Sequence, residues 1–136
     1  MKTLLGAAEI RELAKELDLK PTKKLGQNFV VDANTCRKIV KLAQVSEGDI
    51  ALEIGPGLGS LTLALLENAQ QVLAVEIDDR LANQLPTTVE KHGVDSKKLI
   101  VLNQDAMSLM QLPPKPTVLV ANLPYNISVP VLLNLL

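Results

Sequence analysis

Four short segments carry residue types able to bind a ligand or act on one. The first is Glu53-Ile54-Gly55-Pro56-Gly57-Leu58-Gly59, a glycine turn that lets backbone approach a ligand closely where a helix begins. The second is Glu76, followed by Asp78 and Asp79. A carboxylate about 20 residues beyond such a turn can accept both hydroxyls of a ribose. Third is Asp105, and fourth is Asn122-Leu123-Pro124-Tyr125. The exocyclic amine of a nucleobase is a poor nucleophile because its lone pair is delocalised into the ring, and acceptors on its N–H bonds pull it toward tetrahedral geometry. Asn122 offers a side-chain carbonyl, and Pro124 stiffens the adjoining backbone with the Leu123 carbonyl. Tyr125 can stack on a base extruded from its helix. The competing reading of this tetrapeptide is a strand-end turn with a half-buried tyrosine.

A glycine loop with a later acid is also the mark of a dinucleotide site. Two details oppose that reading. The dinucleotide fingerprint wants Gly or Ala where this chain has Ser60. Glu53 would repel a pyrophosphate, whereas it suits a cofactor bearing cationic amino and sulfonium groups, such as S-adenosylmethionine. Asp105 can then accept the adenine amine of that cofactor.

These segments need elements to position them. Beyond Gly48, apolar runs at 50–54, 71–75, 99–102 and 118–121 read as strands. The stretches 60–68 and 78–92 read as helices, the second weakened by Pro86. The strands are apolar on both faces, which predicts a parallel sheet covered by helices on both sides, an α/β doubly wound domain starting near Asp49. In such sheets ligands bind at the carboxyl ends of strands, where all four segments fall. Before Gly48, Ile10, Leu13 and Leu17 recur at helical spacing over 8–17, and Pro21 stops that helix. A second helix has Asp32 as N-cap, Cys36, Ile39, Val40 and Ala43 inward, and Gly48 at its close. Cys36 reads as a small core residue, and His92 as an exposed residue at a helix end. With four strands, the last presents an open edge unless more chain pairs with it, and the apolar 132–136 reads as a cut end.

Composition excludes several classes. One cysteine and one histidine cannot form a Cys/His zinc site or an internal disulfide, so no metal is expected. No apolar run reaches the roughly 18 residues of a membrane span, and the N-terminus lacks a secretory pattern. A cytoplasmic protein is expected. The net charge is −1, but residues 1–41 carry +4 and residues 42–136 carry −5. The basic cluster Lys20, Lys23 and Lys24 precedes Leu25-Gly26-Gln27-Asn28-Phe29 and reads either as a solvated loop or as a contact to nucleic-acid phosphates. Phe29 and Tyr125 are the only aromatic side chains of this kind in the chain.

Leu25-Gly26-Gln27-Asn28-Phe29-Val30, the glycine loop, and Asn122-Leu123-Pro124-Tyr125-Asn126-Ile127-Ser128 with Pro130 together resemble the KsgA-type small-subunit ribosomal RNA adenine dimethyltransferases. The related macrolide-resistance methyltransferases carry similar motifs, but Leu123 and the Val129-Pro130 pair favour the small-subunit branch. The resemblance implies a Rossmann-like class I S-adenosylmethionine-dependent methyltransferase fold. It implies methyl transfer to N6 of two adjacent adenosines in the 3′-terminal hairpin of small-subunit rRNA, in ribosome biogenesis. It places Asn28 and the Val30 backbone at the methionine end of the cofactor, with Gly55 and Gly57 beneath it. Glu76 would hold the ribose, Asp105 the adenine amine, and Asn122 would lie between donor and target amine. Lys23 and Lys24 would touch RNA, and the partner would be rRNA or a pre-30S particle, met by a monomer. Two parts are expected: helices and a basic entry loop over 1–48, and a partial cofactor-binding domain over 49–136, truncated before its closing strands and lacking the family's C-terminal helical RNA-binding domain. The alternatives are a non-catalytic module that binds cofactor or rRNA and, more distantly, a dinucleotide-dependent oxidoreductase.

Overall fold

The computed structural model describes residues 4–17, 33–105, 116–122 and 130–134. Two helices, α1 (Ala7–Glu16) and α2 (Ala33–Leu42), precede β1 (Ile50–Ile54), α3 (Ser60–Leu66), β2 (Gln71–Val75) and α4 (Asp79–Lys91). A short 3-10 turn, Ser96–Lys98, leads into β3 (Leu99–Leu102), followed by β4 (Val118–Asn122) and β5 (Pro130–Asn134). The sheet order is β3-β2-β1-β4-β5. The first four strands are parallel, and β5 pairs antiparallel with β4, Asn122 opposite Pro130. The open edge expected beside β4 is therefore occupied, and the segment read as a cut end lies partly in a strand.

Register explains why the strand sequences are apolar throughout. Ala51, Val72 and Leu99 align across the sheet with Val118, and Glu53 and Ala74 align with Val120, all on one face. That face joins one continuous core with Leu5, Ile10 and Leu13 of the N-terminal region, Cys36 and Val40 of α2, the leucines of α3, and Leu81, Leu85 and Val89 of α4. The opposite face gathers Leu52, Leu73 and Val75, flanked by Ile50, Ile100, Leu102 and Leu119. Each face needs apolar residues, so alternation vanishes. Among the described residues the four α-helices pack on the first face. Every residue of α3 from Leu61 to Leu66 is buried, because the helix lies between the sheet and α2, and each fully buried leucine contributes roughly 1.5–3 kcal/mol.

Pro86 does not break α4. Loss of its N–H costs about 3 kcal/mol in a helix interior, and two features offset it. The Asp78 side chain caps the helix by accepting from the Arg80 and Leu81 N–H groups at 2.8 and 3.3 Å, and Leu81, Ala82, Leu85, Thr88 and Val89 are buried. The end of α2 corrects the sequence reading. Its chain turns at Gln44, a non-glycine residue at φ 57, where the Val45 N–H reaches the Val40 carbonyl and the Gln44 N–H reaches Lys41. This is a Schellman arrangement, and Gly48 lies beyond it. Asp32 and Pro21 lie outside the described residues.

His92 is a second correction, since it is 6% exposed rather than open to solvent. Its Nε2 lies 2.7 Å from Glu9 Oε2, while at the other end of α4 the Arg80 guanidinium donates to the Leu17 carbonyl at 2.9 Å. Helix α1 thus runs antiparallel along α4 and covers the imidazole. The described residues on either side of Gly48 accordingly contribute to one core. No described helix is long and apolar enough to cross a membrane.

Candidate functional site

Because β1 to β4 are parallel, their carboxyl ends share one sheet edge. The chain winds outward from β1 through β2 to β3 and then returns to β4 on the other side of β1. The switch in direction opens a crevice between the ends of β1 and β4, where open α/β sheets bind ligands. The glycine loop leaves β1 at that point, and Asn122 ends β4 beside it, one residue past the Ile54–Ala121 pair.

The loop depends on left-handed backbone at Gly55, Gly57 and Gly59, with φ of 74°, 59° and 105°. At Gly57 a Cβ would meet nothing within 4 Å, so glycine serves the conformation there and leaves the space above it open. At Gly59 a Cβ would also lie 2.8 Å from Leu85 Cδ1. Here the missing side chain lets α3 approach α4. The Gly55 N–H donates to the Val75 carbonyl at 2.9 Å, tying the loop to the end of β2.

Glu76 stands at that end, 6% exposed. Its Oε1 accepts the Gly57 N–H at 3.1 Å and its Oε2 accepts the Asp78 N–H at 3.0 Å. The carboxylate therefore clamps the glycine loop to the turn into α4, and each oxygen keeps lone-pair capacity for a further donor such as a hydroxyl. Burial pushes its pKa up, while the Asp78 and Gly57 N–H groups pull it down. The Glu76 N–H in turn donates to the Leu102 carbonyl at 3.0 Å, and Asn103 Nδ2 donates to Asp79 Oδ1 at 2.8 Å. These two bonds hold the end of β3 against the start of α4. Asp105 follows on that loop and is exposed.

Glu53 is buried at 1% exposure. The Thr62 hydroxyl donates to its Oε1, and its Oε2 is buried without a partner among the described residues. Burial raises its pKa to about 7, the Thr62 bond opposes the rise and the Glu76 charge adds to it. Two carboxyl groups thus flank a glycine loop, with one acceptor unsatisfied. Such a site is hostile to a pyrophosphate and suited to a ligand that brings hydroxyls and positive charge.

Among the predicted site residues, Gly57 and Glu76 are joined by a direct hydrogen bond and Gly55 bonds to Val75 beside them, while Asn122 ends β4 and Asp105 follows β3 at the same edge. Asn28, Val30, Lys23, Lys24, Leu123, Pro124 and Tyr125 lie outside the described residues. Two residues escaped the sequence reading. Ile77, next to Glu76, is 66% exposed, an apolar platform at the rim whose one signal was an isoleucine set among three acids. Thr62 was signalled only by a hydroxyl within the Leu/Ala run 61–66 of α3. Among the described residues no group of three His, Cys, Asp or Glu could hold a metal ion.

Comparison with known proteins shows the family. The family model described as ribosomal RNA adenine dimethylase matches residues 19–136. The chain is 58% identical over 134 residues to a ribosomal RNA small subunit methyltransferase A of Leifsonia xyli, covering 98% of this chain and 48% of that protein. It spans about half the length of the curated relatives it matches. Among solved structures, a dimethyladenosine transferase from Plasmodium falciparum superposes with TM-score 0.61 at 35% identity, over 71% of this chain and 34% of that one. The 23S rRNA methyltransferase ErmE gives TM-score 0.59 at 35% identity, over 70% of this chain and 37% of its own.

Proposed function

Since the chain belongs to the ribosomal RNA adenine dimethylase family, we propose that it carries the methyl-donor site of an enzyme that dimethylates N6 of two adjacent adenosines in the 3′-terminal hairpin of small-subunit rRNA. The observation that carries this reading is the pair Glu53 and Glu76 around a left-handed glycine loop at the switch point. S-adenosylmethionine fits that set, with no phosphates, a ribose diol and two cationic centres, and when bound it supplies an electrophilic methyl group.

In this reading Glu76 accepts the ribose hydroxyls with the lone pairs left over from Gly57 and Asp78. Ile77 offers an apolar surface to the adenine, and Asp105 accepts its amine. Gly57 leaves room for close approach of the ligand over the backbone. Asn122 accepts from the target amine and turns its lone pair out of conjugation, with the Leu123 carbonyl assisting, Pro124 stiffening the turn and Tyr125 stacking on the extruded base. Asn28 and the Val30 backbone border the methionine end. Transfer is then a direct displacement, and catalysis rests on positioning. Lys23 and Lys24 meet rRNA phosphates, residues 1–48 serve as the approach for RNA and 49–136 as the cofactor-binding part. The small-subunit branch is supported by the 58% identity to a small-subunit relative over 98% of this chain. Its setting would be the cytoplasm, on rRNA or a pre-30S particle, as a monomer.

Calorimetric titration with S-adenosylmethionine and with NAD is the first test. Binding of the former alone is expected, and NAD binding without response to S-adenosylmethionine would defeat the reading. Methyl transfer to undermethylated small-subunit particles then separates an enzyme from a binding module.

A further inference from the structure

The glycine loop is closed at its base by a buried pair, Glu53 and Thr62, of which the reading above gives Thr62 no part. Glu53 precedes Gly55 by two residues and Thr62 follows Gly59 by three, so the bond from the Thr62 hydroxyl to Glu53 Oε1 joins both ends of the loop. Thr62 is 0% exposed and is the only polar residue among the six buried in α3. A helical threonine commonly returns its hydroxyl to a carbonyl one turn back in its own helix. Here the hydroxyl crosses to the strand and engages a carboxyl buried between α3 and Glu76. With Oε1 engaged, Oε2 is the acceptor left over, and it has no partner among the described residues. Buried polar atoms are nearly always paired, so this oxygen beside the glycine loop is an acceptor available to a bound group.

We propose that Thr62 is a positioning residue: by holding Glu53 Oε1 it fixes the buried carboxyl so that Oε2 meets a cationic group of bound S-adenosylmethionine. The proposal rests on the reading of this crevice as a methyl-donor site and adds to it a residue that touches no ligand. Burial keeps the Glu53 carboxyl near 7 while Thr62 draws it down. A cationic ligand favours the ionised form, so affinity rises with pH and levels off above about 7, with uptake of ligand releasing a proton on the acid side. Removing the hydroxyl moves that midpoint to higher pH, a response that a purely structural threonine would not produce.

The test is calorimetric titration of the purified protein with S-adenosylmethionine from pH 6 to 9, for the parent, Thr62→Val, Thr62→Ser, Glu53→Gln and the double variant. Thr62→Val is expected to bind about tenfold more weakly at pH 7, with an alkaline shift of the midpoint. Thr62→Ser should restore both. In the Glu53→Gln background the part of the pH dependence that responds to Thr62 should vanish and Thr62→Val should change affinity by less than about twofold, because the hydroxyl acts through the carboxyl. Thr62→Ala carries the same comparison if valine disturbs the fold. Parental affinity and midpoint in Thr62→Val, or an undiminished tenfold loss in the Glu53→Gln background, would overturn the role of Thr62 while leaving the site reading intact. A folded parent that does not bind S-adenosylmethionine at all would overturn both.

Discussion

The two ends of β1 treat an acidic residue in opposite ways. Just before the strand, Asp49 accepts the Ser46 N–H and hydroxyl at 2.8 and 3.1 Å on one oxygen and the Thr117 hydroxyl at 2.9 Å on the other. Its pKa is lowered, first by the Ser46 N–H and then by the Thr117 and Ser46 hydroxyls, against an opposing effect of burial. At the far end, Glu53 has one donor and one orphan oxygen among the described residues, and a raised pKa. The amino-terminal edge of the sheet satisfies its polar groups internally and serves stability. Among the described residues the carboxyl-terminal edge leaves an acceptor unfilled, a cost tolerated at sites where a ligand completes the set.

The contrast predicts opposite pH limbs from one strand, and Glu53 should give the larger. Its folded-state pKa lies above the ordinary value, so the neutral carboxyl is compatible with the fold and stability is full below pH about 4.5. That stability is lost as pH rises through about 7, by on the order of 3 kcal/mol. Glu53→Gln should flatten this limb, and urea unfolding at pH 5 and 8.5 measures it. An unchanged difference between the two pH values would erase the distinction between the two ends.

Glu76→Ala comes next, because it removes the clamp on Gly57 and Asp78 together with the proposed ribose acceptor. Affinity for S-adenosylmethionine should fall by about 2 kcal/mol, roughly 30-fold, in the same titration. Near-parental affinity would return Glu76 to a purely structural role and make the two edges alike. The smallest effect is expected at Asp49. Asp49→Ala should cost about 1 kcal/mol at pH 7 and leave ligand affinity untouched. Its lowered pKa means that this contribution is present above pH about 4 and disappears as pH falls through the folded value, which acid unfolding of parent and variant will show.

The sequence made the scaffold legible wherever structure follows from local pattern. Apolar runs bounded by polar residues or glycine marked β1 to β3 residue for residue, and β4 differs only by including Asn122. The glycine loop and Glu76 were legible for the same reason, their chemistry being written in residue type and spacing. What escaped depends on partners distant in sequence. His92 is buried because Glu9 and α1 come to it. The turn after α2 falls at Gln44 because backbone hydrogen bonds stabilise a conformation for which side-chain preference alone favours the later Gly48. β5 was invisible because an apolar segment pairs with an edge only once that edge exists. Thr62 looked like helix filler until the strand beside it proved to carry a carboxyl.

The approach of α3 to α4 at Gly59 makes two positions far apart in the chain share one allotment of volume. A methyl group at 59 enters the space of the Leu85 side chain, so replacement at either position changes what the other tolerates. Shortening Leu85 to Ala would open room for a Cβ at 59 but would leave the backbone at φ 105, a conformation that no change at 85 relieves. Permissible variation here is therefore one-sided: residue 85 can shrink on its own at the expense of a cavity, whereas residue 59 cannot grow, even with compensation, without the loop losing its shape. Among sequences that keep this turn, drift should accumulate at 85 and stop at 59.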